Sequence, residues 1–135
     1  MVRIERDTLP EGVWPTFADR LVDAKGTVLA QADFSGTLTM LIYDQQGTSP
    51  STVVHTQSSI AIASTVFNAL QTDGYWKNKD AKGYNFRYTF DLSNLAAGTT
   101  LEGGHTYRFE FQGTTTSVGP VRWKYEITIA DAEGD

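Results

Sequence analysis

Tyr107-Arg108-Phe109-Glu110-Phe111-Gln112 and Val121-Arg122-Trp123-Lys124-Tyr125-Glu126-Ile127-Thr128-Ile129 place an aromatic or β-branched residue at every second position. Tyr84-Asn85-Phe86-Arg87-Tyr88-Thr89-Phe90 does the same upstream. Twelve such residues keep a period of two across three runs. A helix returns to the same face every 3.6 residues, so an amphipathic helix would not hold this register, whereas a half-buried strand does. Each run therefore predicts a strand with one face in the core and one in water, as antiparallel sheets have. Gly98, Gly103-Gly104 and the stretch from Gly113 to Gly119-Pro120 separate the runs. Trp123, between Arg122 and Lys124, reads as a core tryptophan on a strand whose other face is basic.

Working outward, the N-terminal half is less regular. Thr37 to Asp44 predicts a strand with Leu38, Met40 and Ile42 on one face. Phe17 to Val22 predicts a short strand ending in the turn Asp23-Ala24-Lys25-Gly26, with glycine where a left-handed residue is needed. Asp33-Phe34-Ser35-Gly36 reads as a further turn, Val53-Val54-His55 as a strand, and Ile60-Ala61-Ile62 as another. Asp44-Gln45-Gln46-Gly47-Thr48-Ser49-Pro50 reads as a surface loop. Ser64 to Gln71 is the one segment that predicts a helix, capped by Ser64, with Val66, Phe67 and Leu70 three and four apart. Residues 72–83 form a polar loop that embeds Tyr75 and Trp76. Roughly six to eight strands at this spacing predict an all-β, immunoglobulin-like antiparallel β-sandwich with one short helix and an extended N-terminal arm. The expected organisation is an arm at 1–15, a sandwich at 16–130 and an acidic tail at 131–135.

Composition agrees. The 135 residues suit one domain, and a chain of this size can bury roughly two-thirds of its unfolded surface. Eighteen threonines and 12% aromatic residues suit pleated surfaces. With no cysteine, there are no disulfides, thiolate metal sites or cysteine nucleophiles, and the cysteine pair of antibody domains is missing. The net charge of −5 argues against gripping phosphate backbones, so no nucleic-acid partner is expected. No run approaches 18 apolar residues, and no membrane partner is expected. Met1 to Arg6 lacks the apolar run of a signal peptide, which predicts an unprocessed start.

Catalytic sets are hard to assemble. His55 and His105 are the only histidines, and no Gly-x-Ser-x-Gly elbow accompanies them. Asp23, Asp33, Asp44, Asp73 and Asp91 fall at turns, where carboxylates bond their own backbone. Gly103-Gly104 lies between strands rather than before a helix, so it cradles no phosphate. No catalytic, metal or cofactor-binding residue is predicted, and no cofactor. Candidate partner contacts come instead from misplaced apolar residues and from the one basic cluster. Val2, Ile4, Leu9, Val13 and Trp14 make the arm too apolar to hang in water; it either adds an edge strand to its own domain or lies on a neighbour. Tyr75 and Trp76 either meet a partner or a sugar ring, or fold back to plug the sandwich. Lys77, Lys79 and Lys82 could meet an acidic surface or simply be solvated.

Val66 to Trp76 followed by Gly83 to Tyr88, the opening Phe17 to Gly26 before Leu38 to Asp44, and His105 to Phe111 together resemble small immunoglobulin-like proteins encoded among the virion genes of tailed bacteriophages. The resemblance spans about residues 16–130. It implies a structural, non-enzymatic role in the virion, in a phage head assembled in the host cytoplasm. The implied activity is that of a capsid decoration or cement protein that binds the major capsid protein shell, with homo-oligomers possible. Neck, tail and baseplate proteins carry similar domains, and a carbohydrate-binding host-adhesion module using loop aromatics is the alternative of another class.

Overall fold

A computed structural model describes residues 4–10, 12–45, 52–73, 82–116 and 119–130. The strands are β1 (Ile4–Pro10), β2 (Thr16–Asp19), β3 (Phe34–Asp44), β4 (Thr52–Ile60), β5 (Val66–Gln71), β6 (Tyr84–Thr89), β7 (Thr106–Thr115) and β8 (Gly119–Ala130). They form a five-stranded sheet in the order β1-β8-β7-β3-β4 and a three-stranded sheet in the order β2-β6-β5. The chain is an all-β sandwich. Its strand order is the Greek key of an immunoglobulin-like sandwich, with the first strand moved to the edge of the larger sheet.

The alternating runs make the core. Tyr107, Phe109 and Phe111 of β7 and Val121, Trp123, Tyr125, Ile127 and Ile129 of β8 are all buried, facing Leu38, Met40 and Ile42 of β3. The smaller sheet answers with Phe17 and Phe86, and Phe90 follows β6. Rings meet across the layers: Phe17 stacks on Tyr125 at 4.7 Å, and Phe86 meets Trp123 edge-on at 5.2 Å. The third run breaks the alternation once, because Asn85 is as buried as its aromatic neighbours.

Two devices of immunoglobulin sandwiches appear without their usual chemistry. The Tyr107 hydroxyl accepts the Glu102 backbone N–H at 2.8 Å, a tyrosine corner at the start of β7. Two residues on, where a disulfide would leave for β2, Phe109 instead meets Phe17 at 5.0 Å. An aromatic contact of this kind ties the sheets by burial and ring geometry, and stacking adds about 0.5–1.5 kcal/mol beyond the area buried.

Several expectations need correcting. The helix at Ser64 to Gln71 is absent: Val66–Gln71 is β5, which pairs with β6 at Val66↔Phe86 and Gln71↔Tyr84. Only one turn of the segment is coiled, closed by Val66 N–H to the Ile62 carbonyl at 2.8 Å, and the Ser64 hydroxyl bonds back to the Ala61 carbonyl. Two helical turns are too few to hold themselves. Val66 gains more by sitting fully buried between the sheets. Ile60 ends β4, and Ala61 and Ile62 belong to that turn rather than to another strand. β3 starts at Phe34, inside the expected turn, directly after a 3-10 turn at Gln31–Asp33. The smaller sheet's first strand stops at Asp19; Val22 then bridges Val28 across the expected turn, whose Gly26 has a φ of 85°. All strand pairings described are antiparallel except one, the parallel pairing of β1 with β8 from Ile4↔Lys124 to Pro10↔Ala130. That pairing settles the arm: residues 4–10 add an edge strand to their own domain, and Leu9 packs on the core. Pro10 sits at the strand's last position, where its missing N–H costs little.

Candidate functional site

Three faces of the molecule can be compared as contact surfaces. The outer face of β7 and β8 pairs its charges within itself, although the buried Arg108 Nε has no hydrogen-bond partner. Its register sets Arg108 opposite Glu126, Glu110 opposite Lys124 and Gln112 opposite Arg122. Glu110 is buried, 3.3 Å from Lys124 Nζ and accepting from Gln112 Nε2 at 3.1 Å, while Arg108 lies over the Tyr43 ring at 4.3 Å. The β4 edge carries no charged residue, but two register shifts against β3 bend it away from further pairing.

The third surface is the pole where the β1–β2 and β6–β7 links meet. Pro15 is buried and its carbonyl accepts the Phe90 N–H at 2.9 Å, which clamps one link to the other. The Thr16 and Thr89 hydroxyls lie 2.7 Å apart just beyond. Val13 and Trp14 are thereby held outward, 44% and 49% exposed. The second link begins with Asp91, whose carboxylate accepts the Ser93 N–H at 2.8 Å and caps a 3-10 turn at Leu92–Asn94. This turn brings Leu92 and Leu95 to one side. With Gly12, Thr99, Thr100 and Leu101 they line a cleft of about 320 Å³. The tyrosine corner pins the far end of that wall through Glu102.

Of the candidate contact residues, Val13 and Trp14 lie at this pole. Leu9 is packed on the core, and Ile4 opens β1 at the opposite end of the strand. Lys82 is exposed beside β6. Val2, Tyr75, Trp76, Lys77 and Lys79 lie outside the described residues. The leucines of the cleft do not stand out in the sequence, where Gly98 and Gly103-Gly104 mark only a separation between alternating runs. The signal available was Asp91 capping Leu92-Ser93-Asn94-Leu95, with leucines three apart.

The polar groups explain themselves structurally. Asp23, Asp33 and Asp91 bond local backbone as expected. Asp44 Oδ2 lies 3.1 Å from His105 Nδ1, and Asp73 accepts the Tyr84 hydroxyl at 2.8 Å, both partners being side chains distant in sequence. The other His105 nitrogen lies 3.3 Å from Glu102 Oε2, so both ring nitrogens face carboxylates and neither addresses a hydroxyl nucleophile. His55 Nε2 is bonded to Gln57 at 2.9 Å, with its ring against Phe90. Among the described residues no group of three or more acidic or histidine side chains is placed to hold a metal ion. Comparison with protein-family models, with curated proteins and with solved structures returns no match to the chain.

Proposed function

We propose that this chain is a non-catalytic structural subunit of a tailed-phage virion, a decoration or cement protein that binds the major capsid protein shell through the Val13–Trp14 pole. The observation that carries the reading is a tryptophan held half in water by a link whose next residue is buried and hydrogen-bonded. Tryptophan is the side chain most enriched among residues that dominate protein interfaces, and rigid placement lowers the entropy cost of binding. Support also comes from the resemblance to small immunoglobulin-like virion proteins and from the acidity that keeps free subunits apart before assembly. Many copies on one particle then add weak contacts into avidity.

The test is binding to purified phage heads, read as copies per particle. The Val13→Ser, Trp14→Ser double variant keeps the native fold, because neither side chain is in the core, and loses at least tenfold in affinity. Full occupancy by that variant, or no binding of the unmodified chain to heads, overturns the reading.

A further inference from the structure

The link between β1 and β2 favours a straight path yet is folded back on itself. Pro10 and Pro15 bound it. Proline fixes φ at about −65° and holds the residue before it extended, so Leu9 and Trp14 both favour continuing straight. The reversal rests on Gly12, whose φ of 80° disfavours any side chain. The turn is closed by the Val13 N–H to the Pro10 carbonyl at 3.4 Å, near the outer limit for such a bond. Both sides of this hinge are firmly held. β1 pairs along seven residues with β8 and with no other strand, and Leu9 rests on the core. Beyond the hinge, the Pro15 carbonyl is clamped to the Phe90 N–H.

An edge strand with one pairing partner, joined to its domain by a hinge that can straighten, can be supplied by a neighbouring copy with no loss of contacts. The parallel register from Ile4↔Lys124 to Pro10↔Ala130 is the same whether β1 comes from its own chain or from another. Exchange then replaces only the turn at Gly12 with an extended link, the path that the flanking prolines favour. We infer that two copies of this chain exchange β1 reciprocally, each closing the other's β8 edge with residues 4–10. Such an exchange is isologous, so it stops at a two-fold dimer. It uses neither the cleft nor the Trp14 side chain, and the Pro15 clamp stays on the body of each copy. It therefore goes beyond contact with a shell and does not depend on it.

A chain without cysteine makes the crossing directly readable. Thr8 of β1 and Thr128 of β8 are register partners, and adjacent positions on paired strands lie within reach of a disulfide. Thr8→Cys and Thr128→Cys are placed in separate full-length chains, unfolded in urea, refolded together at about 0.5 mM and oxidised. The expected product is a covalent dimer whose tryptic peptides are joined from 8 to 128, which forms only where β1 of one copy lies on β8 of the other. Both changes in one dilute chain give the same link within that chain. Sedimentation velocity of the unmodified protein up to about 1 mM is expected to show monomer and dimer and nothing larger. Gly12→Ala adds a Cβ that meets no atom within 4 Å but disfavours the closed turn, so it tightens dimerisation at least tenfold. A folding defect could not produce a discrete, tighter dimer. An unmodified chain that stays monomeric over the whole range overturns the inference. So does a mixture that lacks the 8–128 link where the doubly substituted chain forms it, or unchanged dimerisation of Gly12→Ala. Failure of the doubly substituted chain to link at all also overturns it, because β1 then does not lie on β8.

Discussion

Asn85 shows how much one polar side chain can decide in this fold. Its Oδ1 accepts the Leu21 N–H at 2.6 Å, and its Nδ2 donates to the Leu29 carbonyl at 2.6 Å and the Leu21 carbonyl at 3.2 Å. It substitutes for a missing strand where the chain leaves β2, turns at Gly26 and returns. Replacing it with leucine strands buried backbone groups, each costing about 1–3 kcal/mol, so urea unfolding of Asn85→Leu is expected to show a loss of roughly 3–5 kcal/mol. A loss below about 1 kcal/mol would contradict that role. Asn85→Asp fares no better, since a carboxylate oxygen then faces the Leu29 carbonyl. The sequence showed Asn85 only as the polar member of an alternating pair; its burial depends on a neighbour 64 residues away, which no local period reports. Gly83 is a similar case: a Cβ there would lie 2.3 Å from the Gln71 carbonyl oxygen, so only glycine allows the approach of β5 to β6.

The tyrosines make a second prediction at the same scale. Burial raises the Tyr84, Tyr88 and Tyr107 hydroxyls above their ordinary value of 10.0. Asp73 adds to the effect at Tyr84 and Asp91 at Tyr88. In that range the unfolded chain gives up its protons first. Stability from these groups is therefore complete below about pH 10 and is lost as pH rises through the higher folded values. Melting temperature is expected to stay level from neutral pH to about 9 and to fall above 10, with Tyr107→Phe showing a shallower fall. An equally steep fall in that variant would remove Tyr107 from the account.

At the scale of elements, the long strands were legible and the short ones were not. β7 and β8 announce themselves because each buries one face along ten or twelve residues. β5 was misread because Val66, Phe67 and Leu70 fit helical and extended spacing alike over six residues, and only pairing with β6 separates the two. β1 left two possibilities open, since its apolar residues suit any sheet edge; the parallel register with β8 shows which edge took it. Because Leu9 packs on the core, removing residues 1–10 is expected to cost about 2–4 kcal/mol and lower the melting temperature by roughly 8–15 °C. It also bares the edge of β8, so light scattering should report aggregation at high concentration. An unchanged melting temperature with no aggregation would mean that β1 is not part of the folded sheet in solution.

At the scale of the whole molecule, the two sheets are held by aromatic rings and buried aliphatic side chains, with the Tyr125 hydroxyl donating across them to Asp19 at 3.2 Å. Phe17 and Phe109 stand where a cysteine pair would, and Trp123 stacks on Phe111 at 5.7 Å with its indole N–H unbonded, so it contributes by burial and stacking. Such a body presents a rigid pole without disulfides. Half of that pole is visible in the sequence, since Trp14 lies between Pro10 and Pro15 in an arm too apolar for water. The cleft that completes it is not, because its leucines are brought together by a cap at Asp91 and by Tyr107 reaching back to Glu102. Amide hydrogen exchange on the chain alone and bound to purified phage heads tests the contact most directly. The account predicts new protection at 12–16 and 91–102, with the β4 edge and the outer face of β7 and β8 unchanged. Protection confined to β4 or to that outer face, with the Trp14 pole exchanging freely in the bound state, would contradict it.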